Sequence, residues 1–184
     1  MKLCVFCSAS ETIDQKFKDI ATETGRLMAE NKIQLVFGGG KLSMMGAVAS
    51  SVMKNGGYAT GYIPGHLNKS EGGHSNINDI HIVDTMHTRK MQMAETSDGF
   101  LLLPGGFGSM DEFFEIITWK QLGIHHKPII IMNAHNYWDP LLKLMDHIIE
   151  NHFARPEHKT IFDVISTPDE LLSTLSKHQR FQNI

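Results

Sequence analysis

Apolar positions along this chain fall into two alternating textures. Short runs rich in β-branched and aromatic residues, "KLCVFC", "QLVFGGG", "YATGYIP", "IHIVD", "GFLLLPGG" and "KPIIIMN", are separated by longer stretches with helical spacing. The runs read as strands, and the spacing predicts helices over residues 13–31, 44–55, 86–96, 109–122 and 138–151. Alternation of this kind builds βαβ units. The expected fold class is therefore α/β: a Rossmann-like, doubly wound parallel sheet with helices on both faces, formed as a single domain over residues 1–184. A short strand near 162–165 and a terminal helix in "STPDELLSTLSKH" complete the pattern. In that helix Thr167 is the expected N-cap, Pro168 the first helical residue and Glu170 the partner in a capping box. The one long polar stretch, "GHLNKSEGGHSNIND", suits a lid, a binding loop or a plain surface loop.

Composition narrows the partners. About two-fifths of the 184 residues are apolar, enough for one core of good size, and the formal charge is only -3. Acidic and basic residues are interspersed, so the clustered basic face that nucleic acid needs is not expected. No apolar run approaches the length that spans a bilayer, and the apolar part of "MKLCVFCSASE" is too short for a signal peptide, so no membrane partner and a cytoplasmic location are expected. Cys4 and Cys7 form a C-x-x-C on a strand, where residues three apart point to opposite faces, and there is no second pair to complete a zinc site. They read as structural thiols. His125 and His126 read as a solvated turn before "KP", and no metal-ligand cluster is expected.

Candidate chemistry gathers at two glycine-rich turns, "FGGGKLSMMG" and "LPGGFGSM", each of which follows a strand and opens a helix. In parallel sheets that is where ligands bind, and the free N–H groups at a helix start favour an anion such as phosphate. Two familiar phosphate fingerprints fail. Leu35 and Leu42 break the P-loop pattern around Gly40-Lys41, and Asp111 replaces the third glycine of a dinucleotide motif begun at Gly106-Phe107-Gly108. Ser109-x-x-Glu112 can be a capping box or part of an active site. Arg89 and Lys90 in "DTMHTRKMQMAE" favour the active site, because cations in the first turns of a helix oppose its dipole and need another reason to be there.

Taken together these motifs resemble the LONELY GUY (LOG) family, cytokinin-activating nucleoside 5'-monophosphate phosphoribohydrolases formerly often labelled lysine decarboxylases. Pro104 to Glu112 match the family's P-G-G-x-G-T-x-x-E with Ser109 for Thr, and "CVFCSAS", "FGGGKLSMMG", "MHTRK" and "EIITWKQLGIHHKP" extend the likeness over most of the chain. Ser43 departs from the family's pattern, standing where it has glycine. The resemblance implies cleavage of the N-glycosidic bond of a purine or cytokinin nucleoside 5'-monophosphate to free base and ribose 5-phosphate, with no metal or cofactor. It makes Glu112 the carboxylate that stabilises the oxocarbenium-like state, and Arg89 the residue that orients the phosphoribosyl group. Lys90, Gly105, Gly106, Phe107, Gly108, Ser109, Thr118, Ser8, Gly39 and Gly40 become the candidate substrate-binding residues. Asp111 and Glu115 remain rivals to Glu112.

The resemblance also implies a homodimer through the helix holding Phe113, Phe114, Ile117 and Trp119, although the same residues would serve a monomer core. The rival function is a non-catalytic nucleotide or molybdenum cofactor carrier of the same fold, for which a paired arginine and glutamate has no evident use. Lysine decarboxylation would call for a pyridoxal phosphate lysine, and no lysine here has that context.

Overall fold

The computed structural model describes residues 1–181, and of residues 70, 71 and 179–181 the backbone alone. In its first half the chain runs β1 (Lys2–Phe6), α1 (Gln15–Glu30), β2 (Gln34–Phe37), α2 (Ser43–Lys54), β3 (Ala59–Pro64), a single turn α3 (Gly65–Leu67) and β4 (Asp79–Val83). It continues through α4 (Met86–Thr96), β5 (Gly99–Leu102), α5 (Phe107–Gln121), β6 (Ile129–Met132), α6 (Asp139–Glu150), β7 (Asp163–Ile165) and α7 (Glu170–Phe181).

All seven strands lie in one sheet in the order β4-β3-β2-β1-β5-β6-β7, and every neighbouring pair is parallel. The chain winds outward from β1 to β4, then returns to the other side of β1 and winds outward again to β7. This is the doubly wound α/β architecture, and its switch point lies between β1 and β5.

Alternation along the strands divides the core in two. Leu3, Val5 and Cys7 join residues of α1, α2 and α7, including Met28, Val48 and Leu175. Cys4 and Phe6 join residues of α4, α5 and α6, including Met93, Phe113 and Leu141. Both thiols are buried on opposite faces, as residues three apart on a strand must be.

Three local expectations need correction. Helix α5 starts two residues before its predicted start, with Gly106 as N-cap, so Ser109 is its third residue and the Ser109–Glu112 capping box does not form. The turn is tight because Gly105 has no side chain: a Cβ there would overlap the Ser109 hydroxyl. His125 is not in a solvated turn. Its Nε2 lies 2.9 Å from the Ile116 carbonyl, its Nδ1 accepts from the Lys127 N–H, and its ring sits 5.3 Å from that of Phe100, while burial lowers its pKa. Only His126 is exposed. At the C-terminal end, Glu170 does accept from the Ser166 and Thr167 N–H groups, but the Thr167 hydroxyl bonds that same carboxylate, and Pro168 lies in a turn ahead of a helix that starts at Glu170.

The polar stretch at 65–79 packs over the first glycine turn. The His74 N–H donates to the Gly39 carbonyl at 2.9 Å, and Gly40 and Gly73 form an antiparallel bridge. Gly39 meets this segment with φ +76, a left-handed conformation that suits glycine. Among the described residues no helix is long and apolar enough to cross a membrane.

Candidate active site

A cleft of about 310 Å³ opens at the carboxyl ends of β1, β2 and β5. Its walls come from the segment after β1 (Cys7, Ser8, Ser10), the first glycine turn (Gly38, Gly40), α3 (Leu67), α4 (Met86, Arg89) and the start of α5 (Gly106, Gly108, Ser109, Glu112). Five separate pieces of sequence meet there because parallel strands deliver all their following loops to one edge.

The charged centre is a pair. Nη2 of Arg89 lies 3.2 Å from Oε1 of Glu112, and each side chain is only 10% exposed. Thr85 caps α4 by accepting from the Thr88 N–H, which leaves Arg89 one turn into the helix and aimed at α5. Its Nη1 contacts the Met86 sulfur at 3.7 Å, and its Nε is buried without a hydrogen-bond partner among the described residues. That is an unusual cost for a guanidinium.

Burial raises the Glu112 carboxyl from its ordinary value to about 7; the Arg89 charge pulls it back, Asp111 and Glu115 push it up, and Lys90 opposes them. A carboxyl poised near neutrality in a cleft suits acid–base work. The Cys7 thiol in the same wall is pushed far up by burial and then by the Glu112 charge, so it stays protonated.

Anion-binding capacity lies next to the pair. The first bond inside α5 runs from the Met110 N–H to the Gly106 carbonyl at 3.0 Å, so the N–H groups of Phe107, Gly108 and Ser109 have no intrahelical partner. Helix α2 starts in the same way, its first bond running from Gly46 to Leu42. Among the described residues no three His, Cys, Asp or Glu side chains converge as a metal site requires.

The family model described as "Possible lysine decarboxylase" matches residues 45–175. A probable cytokinin riboside 5'-monophosphate phosphoribohydrolase of Oryza sativa subsp. japonica is 38% identical over 177 residues, 96% of this chain and 72% of that protein. The chain belongs to the LONELY GUY (LOG) family. A cytokinin riboside 5'-monophosphate phosphoribohydrolase of Arabidopsis thaliana is 36% identical over 96% of this chain and 82% of its own length. In fold alone, the molybdenum cofactor carrier protein of Chlamydomonas reinhardtii superposes with a TM-score of 0.74 at 14% identity, covering 96% of each chain.

Of the residues the LOG motifs single out, Arg89, Glu112, Ser8, Gly40, Gly106, Gly108 and Ser109 line the cleft. Gly105 and Gly39 stand behind it, their carbonyls engaged by the Tyr137 hydroxyl at 2.6 Å and the His74 N–H. Three others do not face it. Phe107 is 90% exposed and borders a neighbouring apolar groove with Met110, Trp138 and Leu144. Thr118 is exposed three turns along α5 and donates to the Phe114 carbonyl, so it lines no base pocket in its own chain. Lys90 lies outside the cleft wall, bound to Glu115 and to Asp111, which does line the cleft beside Glu112.

Sequence reasoning passed over Gly38, Ser10 and Met86. The clue for Gly38 was the three-glycine run itself: a Cβ there would overlap the Arg89 guanidinium.

Proposed function

We propose that this protein hydrolyses the N-glycosidic bond of a purine or cytokinin nucleoside 5'-monophosphate, AMP being the simplest, to free base and ribose 5-phosphate. The observation that carries the reading is the buried Arg89–Glu112 pair set beside the open helix start of α5. The 5'-phosphate lies on the N–H groups of Phe107, Gly108 and Ser109, where the helix dipole adds to the hydrogen bonds. Arg89 orients the phosphoribosyl group and balances charge in the cleft. As the bond from C1' to the base nitrogen lengthens, its electron pair leaves with the base and positive charge grows on the ribose, which the Glu112 carboxylate stabilises. Water then bonds to C1' and gives a proton to Glu112; a proton returned from Glu112 by way of solvent ends on the departed base nitrogen, which leaves the carboxylate ionised again.

The fold is equally that of a molybdenum cofactor carrier, and a carrier would bind at the same strand ends without turnover. For decarboxylation through a lysine Schiff base, a lysine would have to face the reacting group, and none of the described lysines lines the cleft. A homodimer is part of the proposal. Phe113 and Ile117 belong to the monomer's own core, but Met91, Leu122 and Ile124 are exposed around Trp119 and would meet a second copy.

The deciding experiment incubates the protein with AMP, adenosine and lysine, and measures adenine, ribose 5-phosphate and cadaverine. Adenine and ribose 5-phosphate from AMP, with adenosine far slower, support the reading. AMP binding without release of base would favour a carrier, and equal use of adenosine would remove the phosphate cradle.

A further inference from the structure

Lys90 follows Arg89 directly, yet the two side chains serve different partners. Lys90 Nζ lies 3.0 Å and 3.3 Å from the two oxygens of Asp111 and 3.3 Å from Oε2 of Glu115, and only 11% of its side chain is exposed. Consecutive cations of α4 therefore meet three carboxylates of α5: Arg89 takes Glu112, and Lys90 takes the residues on either side of it. Asp111 and Glu115 are four apart and share one helix face, so a single ammonium spans both.

Without that ammonium, three carboxylates within little more than one turn would face a single guanidinium. The groups acting on Glu112 are Arg89 and Lys90 from α4, Asp111 and Glu115 from its own helix, and the thiols of Cys4 in β1 and Cys7 just after it. Burial and the Glu112 charge keep both thiols neutral, so the balance rests on two cations against two carboxylates. Burial works to lower the pKa of the Lys90 ammonium, but the Asp111 hydrogen bond and the Glu115 charge outweigh it, and the group stays charged.

We infer that Lys90 is a positioning residue for the reaction: by holding Asp111 and Glu115 it screens their charge from Glu112 and lets that buried carboxylate carry its own charge in the cleft. The inference rests on Glu112 being the reacting carboxylate. It replaces a direct substrate contact by Lys90, whose side chain is not part of the cleft wall.

The test follows the Glu112 carboxyl itself by carbon-13 NMR titration of the substrate-free protein, alongside the pH profile of kcat/KM for AMP. In Lys90→Met the titration midpoint and the acidic limb should both move up by about one pH unit, so that kcat/KM on that limb falls about tenfold. Lys90→Arg should keep the wild-type midpoint. Adding Asp111→Asn and Glu115→Gln to Lys90→Met should bring the midpoint back toward wild type, because the charges needing the screen are gone. An unmoved midpoint in Lys90→Met overturns the inference. So does a raised KM with an unmoved limb, which would make Lys90 a substrate contact, or a triple variant that stays shifted, which would make it a strut. If the wild-type protein turns over no nucleotide, the functional reading fails, while the NMR titration still decides what Lys90 does to Glu112.

Discussion

Gly38 leaves the space that the Arg89 guanidinium fills: a Cβ at that position would overlap Nη2 and come within 3.0 Å of Cζ. The Gly38 backbone is not left-handed, so alanine is compatible with its main chain and only Arg89 must give way. Gly38→Ala should therefore fold normally while displacing the arginine from Glu112. We expect kcat/KM for AMP to drop at least about tenfold with little change in circular dichroism, since small misplacements of a positioning group are costly.

Glu112 is ion-paired to Arg89 and makes no cap at the helix start, so replacing it tests catalysis with little effect on helix capping. Glu112→Gln should lower turnover of AMP by about a hundredfold or more, and Arg89→Ala by a similar factor. Asp111→Asn should retain most activity, because Asp111, although it lines the cleft, is 60% exposed and paired to Lys90 rather than to Arg89. A dead Asp111→Asn beside an active Glu112→Gln would mean that the carboxylate has been assigned wrongly.

The raised Glu112 value gives two pH signatures. In the free protein the ionised form is lost as pH falls through about 7, so kcat/KM should fall on the acid side of that value. For stability the sign is opposite. The fold binds the proton more tightly than the unfolded chain does, so the stability gained is full below about 4.5 and is lost as pH rises through about 7. The melting temperature of Glu112→Gln relative to wild type should thus be higher at pH 8 than at pH 5, and a pH-independent difference would contradict the raised value.

Ser43 opens α2 with φ 51, a left-handed conformation in which a non-glycine residue is strained, and its hydroxyl donates to the Ser10 carbonyl at 2.5 Å. That bond ties the lip after β1 to the glycine turn after β2, and it accompanies the departure from the family's glycine. Ser43→Ala keeps the strain and loses the bond, so it should cost about 1 kcal/mol in urea unfolding. Ser43→Gly loses the bond but relieves the strain, and should cost less. If alanine proves no worse than glycine, the strain is not borne at this residue.

Leu122 and Ile124 are 69% and 64% exposed just past the end of α5, where Ile124 shares a groove with Trp119. Light scattering at micromolar concentration should give the mass of a dimer for the wild-type chain and of a monomer for Leu122→Glu combined with Ile124→Glu. A monomeric wild type would contradict the proposed dimer.

The sequence by itself determined the elements and their class. Strand and helix periodicity are local properties, so α4 lies where its spacing places it, and the order of runs and helices leads to a parallel sheet with a cleft at the strand ends. It also singled out the motif residues of the LOG family. The tertiary structure decided which neighbours each of those residues meets. Nothing in "SMDEFFE" separates Asp111, Glu112 and Glu115; the rotation of α5 against α4 turns Glu112 to Arg89 and the other two to Lys90. The capping box read from Ser109 gave way to a helix start two residues earlier because Gly105 lets the turn close against the Ser109 side chain. His125 left solvent for the Ile116 carbonyl and the Phe100 ring, contacts made by chain returning from elsewhere in the fold. Periodicity records which face of an element is apolar, whereas the angle at which two elements meet depends on side-chain shapes from both, and that information is not local.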